Sequence, residues 1–440
     1  MEDAKQLWTQ WQELLSAFAP AFTVPGWARF AQWVTGMVLC DEQHTITQSV
    51  TSLSLQEQWR NWERLAEYGA WDQRQVERGL LELTEREGAA RFAGYRPVAV
   101  DDTKALRWSR EAWGVCTFQH AGRNANRPKL VRGHNWVVMG DLSPGDPWTY
   151  RPLGGRLYLR QSQLPQGEVF RSKLALAVEM LQQADAASGA PVLAVVDGGY
   201  ARKNMGHPCL GSIRPIQVLT RPRGDARLYR ALPPKPVAKP RTRRKRRGGR
   251  PRKWGQRLPS PRSHARWGAK WQKGAAYIYG RRRKFRGKRL DGRWAVTGPD
   301  VPVAVFVFEV EGYEAPWYLV TTAVELSAKQ VVEAYAARFR QEDGIRDHKQ
   351  RLGMEEVRAW TKNPVLRTFQ VQVVALTLLR LLGQRLAHRG ISWLTAPPWN
   401  PHKRGVSILD LRRLLWRHRR EFSQFVRDLD EVQKPHRAAG

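Results

Sequence analysis

The chain has 440 residues, enough for roughly two to four domains and a sizeable hydrophobic core. Lys and Arg number 74 against 40 Asp and Glu, a formal net charge of +34, while 42% of residues are hydrophobic and 20 are Trp. These values exclude a peptide-scale scaffold and a wholly disordered basic tail, and they make a polyanion the first partner to consider. The three cysteines, Cys40, Cys116 and Cys209, contain no Cys-x-x-Cys pair. That excludes a disulfide framework and a cysteine-rich zinc site, and it points to a reducing compartment. The start, Met1-Glu2-Asp3-Ala4-Lys5, lacks a basic segment followed by an apolar one, so no secretory signal is expected.

In chain order, residues 1–90 carry apolar groups at helical spacing, as in Glu57 to Leu65 and around Leu80, Leu81 and Leu83, and predict an N-terminal helical domain over 1–92. This segment holds 7 basic and 13 acidic side chains, a balance of -6. Arg96 to Thr103 predicts a strand ending in Asp101-Asp102, and Lys129 to Leu142 and Arg156 to Arg160 have strand-type composition. Ser172 to Ala187 predicts an amphipathic helix. Ala190 to Val196 is a continuous apolar run stopped by Asp197-Gly198-Gly199, which suits a strand buried on both faces. Val301 to Glu309 and Trp317 to Thr322 predict further strands, and Leu326 to Leu352 one long helix. The most apolar uncharged stretch, Thr368 to Leu379, has 12 residues, too short to span a bilayer, and predicts a buried helix with no membrane partner.

The charge is local. Ala231 to Leu290 contains 23 Lys or Arg and no Asp or Glu, so it carries +23 of the total +34. Its first cluster, Arg241 to Arg252, is punctuated by Pro and Gly and is expected to stay extended until phosphates neutralise it. Gly249-Arg250-Pro251 is similar to the core of an AT-hook, which places Arg in a narrow minor groove; the alternative is a solvated basic loop touching phosphates. Arg250, Arg252 and Lys253 are candidate DNA contacts on either reading.

Two predicted strands end at acids, Asp101-Asp102 and Asp197, and Glu342 lies on the long predicted helix. Carboxyl ends of strands converge on a crevice in α/β folds, where three carboxylates suit divalent cations. Tyr335, Arg338, Glu342 and Lys349 follow the spacing Tyr-x2-Arg-x3-Glu-x6-Lys. On one helix they fall at about 0°, 300°, 340° and 320°, a single stripe, whereas Asp343 lies about 80° away from its Tyr335 edge. Judged singly, each feature has a plainer reading. Asp197 before two glycines is a turn former, an Arg and a Glu four apart make a surface ion pair, and a Trp such as Trp317 packs a core.

Taken together, the Asp-Asp-Thr strand end, the Asp197-Gly-Gly-Tyr strand end and the Tyr-Arg-Glu-Lys spacing resemble the DDE transposases of bacterial insertion sequences, over about residues 95 to 360. The resemblance implies an α/β, RNase H-like catalytic core, a mixed sheet flanked by helices with a basic β or irregular insertion. The domains are then 1–92, 93–215 (core, first part), 216–300 (insertion), 301–390 (core, second part) and 391–440 (a basic C-terminal helical segment). It implies metal binding by Asp101, Asp197 and Glu342, with Asp102 the alternative to Asp101, since adjacent strand residues point to opposite faces. The implied cofactor is two Mg²⁺ ions about 4 Å apart, with Mn²⁺ as substitute. Tyr335, Arg338 and Lys349 are implied to contact the DNA end, and Trp317 to stack on a flipped base. The implied activity is cleavage of the element's terminal inverted repeats and strand transfer into target DNA, by a homodimer in the bacterial cytoplasm. Two other classes fit the same residues: an inactive, DNA-binding descendant, and an RNase H-like nuclease.

Overall fold

The structure, a computed structural model, describes residues 2–119, 130–145, 147–233, 252–267, 270–388, 398, 400–401, 403 and 405–432. The elements begin with five helices, α1 (Glu2–Ser16), α2 (Val24–Leu39), α3 (Ile46–Thr51), α4 (Arg60–Tyr68) and α5 (Gln73–Arg86). Four strands follow, β1 (Arg96–Leu106), β2 (Cys116–Gln119), β3 (Leu130–Ser143) and β4 (Thr149–Leu157). Then come α6 (Lys173–Ala186), β5 (Val192–Val196), α7 (Lys203–Leu210), β6 (Gln217–Thr220), β7 (Leu228–Tyr229) and α8 (Pro261–Arg266). The strands β8 (Gln272–Ile278), β9 (Arg281–Trp294), β10 (Pro302–Val310) and β11 (Trp317–Thr321) complete the β part. The chain ends in α9 (Ala328–Ala337), α10 (Phe339–Arg351), α11 (Lys362–His388), α12 (Ile408–Arg417) and α13 (Arg419–Val432).

Side-chain caps start several helices. Thr23 accepts from the Gly26 N–H, Asp72 from Arg74 and Gln75, Ser172 from Ala175, and Ser327 forms a capping box with Gln330. The predicted strands at 96, 129, 190, 301 and 317 are present within a few residues, whereas the one expected at Arg156 to Arg160 begins earlier, at Thr149. The long helix predicted over 326–352 is interrupted: α9 ends at Ala337, Arg338 forms a turn in the right-handed helical region, and α10 restarts at Phe339. No Pro or Gly marks that point, which is why periodicity alone runs through it.

Contacts divide the chain into two units. The first holds residues 1–90, 100–189 and 340–440. Its core joins the N-terminal helices to α11, with Trp11, Trp33 and Trp62 fully buried beside Val374, Leu378 and Leu382. By length and composition α11 is apolar enough to cross a membrane, but 89% of its most apolar window is buried inside the protein. Arg367 on α11 donates to the carbonyls of Leu65, Ala66 and Gly69, satisfying the end of α4, and lies over the Trp71 ring. In this unit β3 pairs antiparallel with β2 and β4, and β1 neighbours β3.

The second unit holds residues 91–99 and 190–339. Its strand order is β5-β6-β11-β10-β9-β7, with β8 also on β9. Only β5 and β6 run parallel among these pairs; β6 with β11, β11 with β10, β10 with β9, and β9 with β8 and β7 are antiparallel. All five residues of β5 are buried, as its unbroken apolar run predicts. Helix α9 packs against β5, β6, β8 and β11. The fold is thus a mixed β-sheet flanked by helices, with a helical region at the N-terminus.

Candidate active site

In the first unit, β1 presents two faces. Asp101, Thr103 and Ala105 alternate with Asp102, Lys104 and Leu106. On the second face the Asp102 carboxylate pairs with Lys173 of α6 at 2.6 Å, and the Lys104 ammonium donates to the Gln119 carbonyl. Burial lowers the Lys104 pKa and Asp102 opposes that shift. On the first face Thr103 lines a small void together with Val138, Tyr150, Gly344, Ile345 and His348. The Asp101 side of β1 therefore meets β3, β4 and α10. Burial pushes the Tyr150 phenol above its ordinary pKa; the Gln341 side chain opposes that shift, and the charges of Asp101 and Asp141 add to it.

Helix α10 is anchored beside these groups. The Gln341 side chain, fully buried, donates to the Val138 carbonyl at 3.0 Å, and Glu342 next to it is exposed. Asp343 is held between Arg340 at 3.0 Å and Arg346 at 2.9 Å, consistent with its place off the stripe. Lys349 donates to the Lys104 carbonyl at 2.6 Å and pairs with Glu355 at 2.9 Å, so its ammonium ties α10 to β1.

The other expected residues lie in the second unit. Asp197 ends β5, and its Oδ1 accepts from the N–H groups of Gly199 at 2.8 Å and Tyr200 at 3.3 Å. The turn-forming role is thus real and uses one carboxylate oxygen. Thr220 donates to the Asp197 carbonyl from β6, fixing the strand end. Tyr335 is buried near the end of α9; burial raises its pKa, and Arg338, which hydrogen-bonds it, acts in the opposite sense. Trp317 is 7% exposed and packs with Tyr279, Tyr313 and Tyr335 at ring separations of 5.7, 5.2 and 6.5 Å. The exposed rings of this aromatic group are Tyr279 and Phe339. Arg252 and Lys253 are exposed, whereas Arg250 and the AT-hook-like tripeptide lie outside the described residues.

The β8–β9 hairpin carries cations that the charge count found but did not orient. Register pairs Lys273 with Arg286, Ala275 with Lys284 and Tyr277 with Arg282, so Lys273, Tyr277, Arg282, Lys284 and Arg286 share one side. Lys273, Arg282 and Lys284 have no ion-pair partner among the described residues. Ile278, Ala276 and Phe285, on the other side, are buried. Trp271 lies against Arg286 at 4.9 Å and Lys288 at 4.6 Å. A two-residue turn, Tyr279-Gly280, closes the hairpin with both residues at positive φ.

Among the described residues no group of three or more His, Cys, Asp or Glu side chains is gathered to hold a metal ion. In donor chemistry Asp101, Asp197 and Glu342 fit a hard divalent cation, since carboxylate oxygens are its preferred ligands.

A family model described as "DDE superfamily endonuclease" matches residues 18–288, which include Asp101 and Asp197 and end within β9, before Glu342. No curated protein matches the chain. Among solved structures, a cryo-EM structure of the piggyBac transposase synaptic complex with hairpin DNA is similar over 94% of this chain and 76% of that one, at 10% identity and a TM-score of 0.41. Proteins of the DDE superfamily act on DNA as nucleases or recombinases and generally use divalent metal ions. With more than half of its length matched, and with the mixed sheet, flanking helices and strand-end acids of an RNase H-like core, the chain belongs to the DDE superfamily of endonucleases.

Proposed function

We propose that the chain is the transposase of a bacterial insertion sequence, cutting the ends of its element and joining them to target DNA. The observation that carries this reading is that Thr103, on β1's Asp101 face, shares a small void with Gly344, Ile345 and His348 of α10, the helix whose first turn exposes Glu342, in a chain of this superfamily. Asp101, Asp197 and Glu342 would hold two Mg²⁺ ions, or Mn²⁺, which supply the charge that activates an attacking oxygen and stabilises the leaving one. Asp102 is the weaker ligand because Lys173 already pairs with it on the opposite face. Arg338 and Tyr335 are proposed to meet phosphates of the element end, and Lys349 to share its charge between β1 and the same strand. Lys273, Arg282 and Lys284, together with Arg250, Arg252 and Lys253, would hold flanking duplex. Trp317 would act on a base only through the exposed rings packed around it. Hydrolysis frees a 3'-hydroxyl at the element end, and attack of that hydroxyl on a target phosphodiester joins the two as the target's own 3'-oxygen leaves. No protein nucleophile is needed.

The same proposal gives the segments their roles: 1–92 in end recognition, 93–215 and 301–390 as the catalytic core, 216–300 as a DNA-holding insertion and 391–440 as a basic helical tail. A homodimer would bring two ends together in the bacterial cytoplasm. The test is a cleavage assay on DNA from the element's own ends, with Mg²⁺ or Mn²⁺, comparing the native chain with Asp197→Ala and Glu342→Ala. Native cleavage and joining, lost in both variants while DNA binding persists, supports the reading. Binding without metal-dependent breakage by the native chain replaces it with a DNA-binding protein.

A further inference from the structure

Glu342 and Asp101 sit on different elements, and what fixes the gap between them is visible inside the first unit. Tyr150 of β4 is 3% exposed, and its ring fills the space between β3 and α10. Two glycines make room for it. A Cβ at Gly344, two residues after Glu342, would overlap the Tyr150 ring, and a Cβ at Gly140 of β3 would overlap the same ring and the Arg151 carbonyl. Both glycines have ordinary backbone conformations, so it is space and not φ that each supplies. Gln341, one residue before Glu342, is clamped to the Val138 carbonyl of β3. The Tyr150 hydroxyl is buried without a well-formed hydrogen bond; the Gln341 side chain influences it, but that amide already donates to the Val138 carbonyl. Because both glycines approach the ring so closely that neither could carry a Cβ, the ring's bulk is the feature this site uses.

We propose that Tyr150 is a positioning residue, a spacer whose ring, seated against Gly140 and Gly344, sets the distance between the Asp101 strand and the Glu342 helix. The inference rests on the assignment of Asp101 and Glu342 as metal ligands. Thinning or thickening the spacer moves one carboxylate relative to the other without touching either. A shift of this kind changes how tightly the pair holds a cation long before it changes how DNA phosphates bind the surface, because metal affinity falls about 10- to 100-fold when supporting groups are disturbed.

The experiment measures Mn²⁺ binding to the full chain by the ion-dependent rise in melting temperature, beside duplex DNA binding, for the native protein, Gly344→Ala, Tyr150→Phe, Gly344→Ala with Tyr150→Leu, Asp101→Asn and Glu342→Gln. The spacer predicts that Gly344→Ala needs about tenfold more Mn²⁺, that Tyr150→Phe matches the native chain, and that the double variant recovers much of the loss. Native Mn²⁺ dependence in Gly344→Ala, with only a lower melting temperature in the absence of metal, overturns the spacer. So does a Tyr150→Phe defect as large as that of Gly344→Ala, since the hydroxyl and not the bulk would then be at work. Should Asp101→Asn and Glu342→Gln respond to Mn²⁺ like the native chain, the ligand assignment itself fails, an outcome distinct from failure of the spacer alone.

Discussion

Inward arginines of the first unit and a row of outward cations on the β8–β9 hairpin put positive charge to opposite uses. In the helical unit Arg367, Arg385 and Arg412 are turned inward. Arg367 bonds three carbonyls at the end of α4, Arg385 pairs with Glu87 and Glu13, and Arg412 reaches the Val38 and Arg351 carbonyls. On the hairpin, Arg282, Lys284 and Lys273 are exposed on one strand face with no such partners among the described residues. A net charge of +34 therefore overstates the surface available to a polyanion in one region more than in the other, where Arg286 and Arg289 pair with Glu309 and Asp291 but Lys273, Arg282 and Lys284 do not. Tryptophan divides less cleanly: Trp11, Trp33, Trp62 and Trp71 build the core of the acidic N-terminal helices and Trp267 of the basic segment is exposed, but Trp59 is exposed and Trp294 of β9 is buried.

The strongest way to break this comparison is to remove an inward arginine. Arg367→Ala leaves buried carbonyls without a donor, and we expect it to destabilise the protein by about 3 kcal/mol in chemical denaturation while DNA affinity per folded molecule is unchanged. A loss under about 0.5 kcal/mol would mean that these bonds are no more than surface contacts.

Next in size is the acid response of the same unit. Burial lowers both His134 and His348 to about 4. Between about pH 6.5 and about pH 4 the unfolded chain takes up protons that the folded chain refuses. Stability is thus complete above the unfolded value and falls as pH drops through that window, by a few kcal/mol in all. Melting temperatures measured across it should decline, and His348→Gln should flatten part of the decline. An equal slope in that variant removes His348 from the account.

Replacing Lys273, Arg282 and Lys284 together with Ala sharpens the other side. Folding stability should move by less than about 0.5 kcal/mol. The slope of log affinity for duplex DNA against log salt should shrink by roughly 3. An unchanged slope would place the phosphate contacts elsewhere. The smallest expected effect is Asp102→Asn, which breaks a half-exposed ion pair with Lys173 and should cost no more than about 1 kcal/mol.

Much of the fold could be read in advance because its strands are punctuated. The buried run of β5 stops at Asp197-Gly198-Gly199, and β10 and β11 stand between polar turns, so composition bounds them closely. The start of β4 was hidden because Pro152, Gly154 and Gly155 look like loop residues, yet they sit in the strand beside a bulge at Met139 and Gly140. The break at Arg338 was hidden for the opposite reason, since no Pro, Gly or polar turn residue marks the end of α9. The same limit applies to the site. Strand-end acids and the spacing around Glu342 are local patterns, but the choice between Asp101 and Asp102 depends on which face meets Lys173 and which meets α10. The part played by Tyr150 depends on two glycines, one 10 residues before it and one 194 after. The outward row on β8 and β9 needed a register that the charge count alone does not supply.

On the proposed reading, one face of β1 does chemistry with α10 and the other only supports it. The most direct test is single-turnover cleavage of element-end DNA with Mg²⁺ or Mn²⁺ by the native chain, Asp101→Asn, Asp102→Asn and Glu342→Gln. We predict cutting by the native chain and by Asp102→Asn, and none by Asp101→Asn or Glu342→Gln, with all four binding the DNA. Cutting by Asp101→Asn with none by Asp102→Asn would place the chemistry on the other face of β1 and contradict the claim.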